Sequence, residues 1–167
     1  MYHDLRIIAE SAIEIFDITV IQGARSVEEQ IRNISRGVSK TLDSCHIPRD
    51  GDGHYDPVNG VSWAGDFGPW QKGVNMWPLD GDSRRVQEKK KARFYYMQGI
   101  FRQIAHQHNI QIRQGVDWDG DGDVFDQTFD DLPHMERGGR RARLIVTGEL
   151  LDLANEALVL KGLKPYA

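Results

Sequence analysis

The stretch GVDWDGDGDVFDQTFDDLPHMER, Gly115 to Arg137, concentrates side chains that could do chemistry. Seven aspartates fall between Asp117 and Asp131, and His134 stands three residues after the last of them, behind a proline. Like charges at this density repel one another, so something must compensate them. Asp117, Asp119, Asp121 and Asp123 alternate, with Gly122 at the sixth position, as in the opening of an EF-hand-type loop. Alternate carboxylates can turn hard oxygens around one Ca2+, and the glycine permits the sharp bend. The twelfth position is Thr128, where that loop would carry a bidentate Glu, so Asp126 or Asp130 would have to close the shell. The competing reading is a solvated acidic turn, weakened by the repulsion among four close carboxylates.

The second half of the stretch, DDLPH, differs in kind. Histidine is a borderline ligand suited to zinc. A carboxylate three residues earlier, with a proline between them fixing the backbone, can sit beside a metal without ligating it. That is where a general base for an attacking water belongs, which makes Asp131 the candidate. By itself D-x-x-H occurs by chance and needs partner ligands. His46, in SCHIP, and Asp66, in SWAGDFGPW, supply them if both segments are extended and neighbouring. Together with His134 they would give three protein ligands and one open position, the pattern of catalytic zinc.

These residues need a frame. Leu5, Ile8, Ala9, Ala12, Ile13 and Phe16 recur at helical spacing and predict one buried stripe. ITVIQGA, residues 18–24, is β-branched and ends in a glycine turn, which predicts a strand. Ser26 with Glu29 fits a capping box opening a helix through about Gly37. Residues 44–78 are rich in Gly, Pro, Asp and Trp and predict short strands and long loops. A long helix is expected from about Ser83 to His108, with Phe94, Met97, Phe101, Ile104 and Ala105 inward. IQIRQGVDW reads as a second strand, Gly138–Gly139 as a hinge, and residues 144–161 as a final helix turning Leu150, Leu151, Ala154, Ala157 and Leu158 inward. The expected class is α+β, a small antiparallel sheet flanked by helices, in a single domain over residues 1–167.

In order, the motifs G-A-R-S-x-E-E-Q, S-x-H, S-x-A-x-D-x-x-P, D-W-D and D-x-P-H-x-E resemble the VanY-like D-alanyl-D-alanine carboxypeptidase family. Within it they are most similar to phage endolysins that are L-alanyl-D-glutamate peptidases. The resemblance spans roughly residues 20–137 and implies a hedgehog/D,D-peptidase-like zinc peptidase cutting peptidoglycan stem peptides. It maps the zinc ligands onto His46, Asp66 and His134, the catalytic carboxylate onto Asp131, and an arginine that would stabilise the oxyanion onto Arg25. A salt bridge to Glu28 or Glu29 is the plainer role for Arg25. Gln30, Ser44 and Trp118 are candidates for substrate contact, with a solvated helix position the alternative for Gln30 and core packing that for Trp118. The link between His46 and Asp66 is longer than the family pattern, so Asp56, in GHYDP, competes with Asp66, which alone has the flanking Ala and Pro. Cys45 beside His46 could ligate zinc, but on a strand it would face the other way.

Composition bounds the rest. A 40% apolar and 28% charged chain with net charge −4 is that of an ordinary globular protein, not a nucleic-acid binder. Basic runs at Arg84–Arg93 and Arg137–Arg143 read as solvated surface, or more sharply as attraction to a cell-wall or lipid polyanion. One cysteine excludes an intrachain disulfide framework. No apolar run reaches the ~20 residues of a membrane span, and acids interrupt the N-terminal apolar stretch, against a secretory signal. The expectation is a monomer made in the cytoplasm that reaches the wall by a separate route such as a holin. Two other readings share these features: a D,D-carboxypeptidase with the same ligands, and a non-catalytic calcium-binding wall module.

Overall fold

The computed structural model describes residues 1–139 and 141–167 and is an α+β protein. Four helices, α1 (His3–Ile13), α2 (Val27–Ser35), α3 (Arg84–Gln107) and α4 (Glu149–Leu160), accompany four strands, β1 (Ile18–Gln22), β2 (Ala64–Pro69), β3 (Ile112–Gln114) and β4 (His134–Arg137). The strands form one antiparallel sheet in the order β1-β2-β4-β3. No helix among the described residues is long and apolar enough to cross a membrane. The chain divides into two compact units.

The sheet belongs to the unit made of Tyr2–Gly23 and Ala64–Gly139. Its core joins Leu5, Ile8 and Ala12 of α1 to Phe94, Met97, Phe101, Ile104 and Ala105 of α3, with Phe67 and Met135 from the sheet. The α1 stripe is narrower than its spacing predicts. The helix stops at Ile13, which is 52% exposed, and Phe16 lies beyond it, edge-on to Tyr96. The second predicted strand shrinks to three residues at the sheet edge, and β4 lies between it and β2, where the sequence suggested only a hinge after His134. HMER is too short and too polar for alternation to show. Its pairing comes from both neighbours, with Asp66 opposite His134 on β2 and Arg113 opposite Glu136 on β3.

A buried amide pair ties α3 to this sheet. Gln98 lies on the core face of α3 and is 1% exposed. Its Nε2 donates to the carbonyls of Leu132 and His134 at 2.8 and 3.2 Å, while its own oxygens accept from Gln114 Nε2. Buried amides are tolerated only when satisfied; here Gln98 satisfies the carbonyls of the turn into β4, and Gln114 satisfies those of Gln98.

The other unit contains Ala24–Trp63 and the C-terminal stretch to Ala167. Ser26 caps α2, its Oγ accepting from Glu29 N at 3.2 Å. Val27 and Ile34 pack with Ala154, Ala157 and Leu158 of α4. That helix begins five residues later than expected, at Glu149. Leu144 and Val146 are buried in extended chain instead, and Gly148, at φ +65°, makes the entry turn. The segment carrying His46 is a tight turn, not a strand: Ile47 N donates to Ser44 O, and His46 N to Ser44 Oγ. The facing argument for Cys45 therefore fails, and its Sγ instead accepts from Arg141 Nε at 3.1 Å.

Asp43 is the hub behind that turn. Its Oδ1 accepts from Arg49 Nη1 at 2.6 Å, Arg141 Nη1 at 2.7 Å and Leu144 N at 3.2 Å. Arg49 is 2% exposed and also donates to Ser44 O. Burial raises the Asp43 carboxyl, but the two guanidiniums outweigh it and hold it below the usual carboxylate range. A depressed pKa stabilises the fold above the unfolded value near ~3.9 and stops doing so as pH falls through the folded one. Asp43→Asn is expected to lose about 3 kcal/mol at pH 7, because it leaves Arg49 buried without its counter-charge. Urea melts should show the gap between wild type and variant closing as pH drops below about 4; equal stability at pH 7 would remove Asp43 from this role.

Candidate active site

Two adjacent strands and one turn bring the central residues together. Asp66 on β2 and His134 on β4 are directly opposed, and His134 Nδ1 lies 3.2 Å from Asp66 Oδ1. His134 and Glu136, two apart on β4, share a sheet face. His134 Nε2 lies 3.1 Å from Glu136 Oε2. Both imidazole nitrogens therefore meet carboxylates in a buried setting, His134 being 6% exposed.

Asp131 enters through the turn before β4. His134 N donates to Asp131 O at 3.0 Å, and Asp131 N to Gly115 O at 2.9 Å. Only glycine allows that approach, since a Cβ at position 115 would lie 2.3 Å from Asp131 O. Burial pulls the His134 pKa down, but the bonds to Asp66 and Glu136 and the charge of Asp131 push it up to about 9. Carboxylates that hold a proton this firmly on an imidazole form a pocket of negative potential suited to a cation.

His46, Asp66 and His134 make a group that could hold a metal ion. Two imidazoles and a carboxylate are a donor set that zinc accepts. In such a set Nδ1 of His134 faces the ligand Asp66, leaving Nε2–H for Glu136. A carboxylate on the far nitrogen fixes tautomer and ring angle, a recurrent arrangement around ligating histidines. Glu136 was missing from the sequence-based candidates, although the i, i+2 spacing in P-H-x-E carried the signal.

Arg113 holds Glu136 in turn. Its Nε and Nη2 both approach Glu136 Oε1, at 2.6 and 2.5 Å. Its guanidinium also lies over the Trp118 ring at 5.0 Å, and that ring lies 5.3 Å from the His134 ring. Trp118 is fixed by Nε1 donating to Phe129 O at 2.8 Å. It therefore flanks the site instead of filling the core.

The remaining candidates lie as follows. Arg25 N donates to His46 O at 2.9 Å, and Arg25 Nη1 to Gln30 Oε1 at 2.8 Å. Gln30 is not a solvated helix position: it is fully buried, and its Nε2 donates to Ser39 Oγ and Thr41 O. It braces Arg25. Ser44 shapes the turn at His46. Asp56 Oδ1 accepts from Val58 N and Asn59 N, capping its own exposed loop.

In the acidic loop, carboxylate oxygens of Asp117, Asp119 and Asp121 lie within 4.8 Å of one another, a second group that could hold a metal ion. Asp123 stands apart from that group and caps Phe125 N at 2.9 Å. Part of the repulsion is already compensated. Asp117 is buried, ion-paired with Arg102, and accepts from Gly120 N and Gly122 N. Burial raises the Asp126 carboxyl, the Gln127 bond opposes this, and the charges of Asp119, Asp121 and Asp123 push it up further.

With the geometry in view, the likenesses are informative. Residues 1–137 match the family described as phage L-alanyl-D-glutamate peptidase. The L-alanyl-D-glutamate peptidase of Escherichia phage T5 is 30% identical over 129 residues, which cover 74% of this chain and 77% of that protein. The crystal structure of Serratia marcescens L-Ala D-Glu endopeptidase ChiX superposes with a TM-score of 0.58 at 21% identity, covering 83% of this chain and 80% of that one. That structure attests the fold.

Glu136→Gln keeps the size of the side chain and removes its charge. Zn2+ affinity, measured by competition with a chelating dye, is expected to fall by about 10- to 100-fold, the usual cost of losing such a partner. Unchanged affinity would mean that Glu136 does not orient His134.

Proposed function

Because the chain belongs to the phage L-alanyl-D-glutamate peptidase family, we propose that it is a zinc-dependent endolysin that cuts the peptidoglycan stem peptide between L-alanine and D-glutamate. The observation that carries this reading is the register of β2 and β4, which sets Asp66 against His134 with Asp131 one turn upstream. His46, Asp66 and His134 are the proposed ligands. When bound, zinc supplies Lewis acidity, lowering the pKa of water and polarising a carbonyl. The protein's own groups do the rest. Asp131 accepts a proton from the attacking water and returns it to the leaving amine. Arg25, braced by Gln30, stabilises the developing oxyanion. Trp118 lines the substrate cleft, and Ser44 holds the His46 turn. The enzyme acts as a monomer on the cell wall.

The acidic loop has a second, supporting role in this proposal. Ca2+ held by Asp117, Asp119 and Asp121 would neutralise what Arg102 leaves uncompensated. Asp123 would have to release Phe125 N to join them.

Two experiments test these roles. Digestion of purified peptidoglycan followed by mass spectrometry of the products should give new N-terminal D-glutamate; release of terminal D-alanine instead would identify a D,D-carboxypeptidase. In the same assay Asp131→Asn should retain zinc and lose about 10²- to 10⁴-fold in rate, the usual worth of general acid–base catalysis. Near-wild-type turnover would exclude Asp131 as the base.

For the loop, Ca2+ titrated into zinc-loaded, calcium-stripped protein should raise activity and melting temperature together. No response of either at millimolar Ca2+ would leave the loop a solvated turn.

A further inference from the structure

Arg113 is held more firmly than a half-exposed arginine needs to be. Its side chain is 51% exposed, yet Glu136 clamps one edge of the guanidinium and Trp118 supports one face. The clamp uses Nε and Nη2. Nη1 finds no acceptor among the described residues, which leaves the Nη1–Nη2 edge of the fork for a further acceptor. Arg113 lines a cavity of about 460 Å³ together with Arg102, Ile110, Gln114 and Trp118. The same Trp118 ring lies 5.3 Å from the His134 ring, so one side chain touches both Arg113 and a proposed ligand.

A planar fork with a free edge is the usual partner of a carboxylate, because two parallel N–H bonds match its two oxygens. Locking the side chain beforehand removes the rotamer entropy that binding would otherwise lose. The Glu136 clamp does not neutralise the site for this purpose, since Glu136 is itself shared with His134. A substrate cut between L-alanine and D-glutamate carries a carboxylate on the residue that leaves, within a few bonds of the scissile amide. Resting on the peptidase reading above, we propose that Arg113, on the platform of Trp118, binds a carboxylate of the D-glutamate residue and so determines specificity on the leaving side of the cut.

The test uses the zinc-loaded full chain and three substrates: N-acetyl-L-alanyl-D-glutamate, its α-amide and its γ-amide. Wild type should cleave the diacid about 10- to 100-fold more efficiently than one of the two amides, the range expected for a charge-assisted pair. Arg113→Met, assayed at saturating Zn2+, should bring that ratio close to one, chiefly by raising KM for the diacid. Arg113→Lys, which keeps the charge and loses the fork, should fall between. A wild type that cleaves all three equally overturns the subsite and leaves the peptidase reading standing. So does an Arg113→Met variant that slows all three by one factor and binds zinc more weakly, because Arg113 would then act only through Glu136. A wild type that cleaves none of them, and leaves the L-Ala–D-Glu bond of peptidoglycan intact, overturns the peptidase reading and the subsite with it.

Discussion

An imidazole buried between carboxylates is the constraint on which the arrangement turns. His134 has Asp66 at one nitrogen and Glu136 at the other, with the charge of Asp131 close by. Three acids around one buried ring are stable only if positive charge sits among them. A proton on the ring supplies it in the absence of metal, and a metal with a deprotonated ring supplies it otherwise. A hydrophobic residue in place of His134 would leave Asp66 and Glu136 facing each other without compensation. The same placement therefore serves stability and chemistry, and it explains why so polar a strand is central in the sheet.

Polar groups also hold the frame that fixes this ring. Gln98 and Gln114 form a buried pair whose bonds reach the carbonyls of Leu132 and His134. Leu132 and His134 bracket the proline of the turn, so α3 grips the chain on both sides of it. Gly115 adds the third restraint by admitting the Asp131 backbone at a distance no side chain would permit. Each restraint is short and satisfied, which suits a site where small displacements matter.

Most of the helical frame was legible in the sequence, because Leu5, Ile8, Phe94, Met97 and Phe101 repeat at the helical period and are buried as that period requires. The Ser26 cap was legible because its signal is local. The α+β class was legible from the pattern of helices and strands, and motif order grouped Asp66 with His134 as candidate ligands without pairing their strands. Strand β4 was not, since HMER has neither length nor alternation, and its existence depends on two partners distant in sequence. Gln98 was invisible for a related reason: an amide on a core face looks like an interruption until Gln114, Leu132 and His134 are known to surround it. The turn at His46 was misread because the bonds that make it, to Ser44 within the turn and from Asp43 through Arg49 behind it, leave no periodic trace.

The acidic loop is best understood through its two ends. It starts at Asp117, which is buried against Arg102 and bridged through its N–H to Gln114. It finishes at Asp131, whose N–H is pinned to Gly115. Both anchors fall within four residues of each other on the chain leaving β3, so the loop is a closed Ω of charge with a narrow neck. Whatever happens to the exposed acids in between is transmitted to that neck. The charges of Asp119, Asp121 and Asp123 act on Asp126 as mutual repulsion, and for the base proposed at Asp131 a displacement of ~1 Å would cost on the order of 10²-fold in rate. Arg102 offsets only Asp117 at the base. The exposed remainder is where the proposed cation would act, and the loop ends three residues before His134.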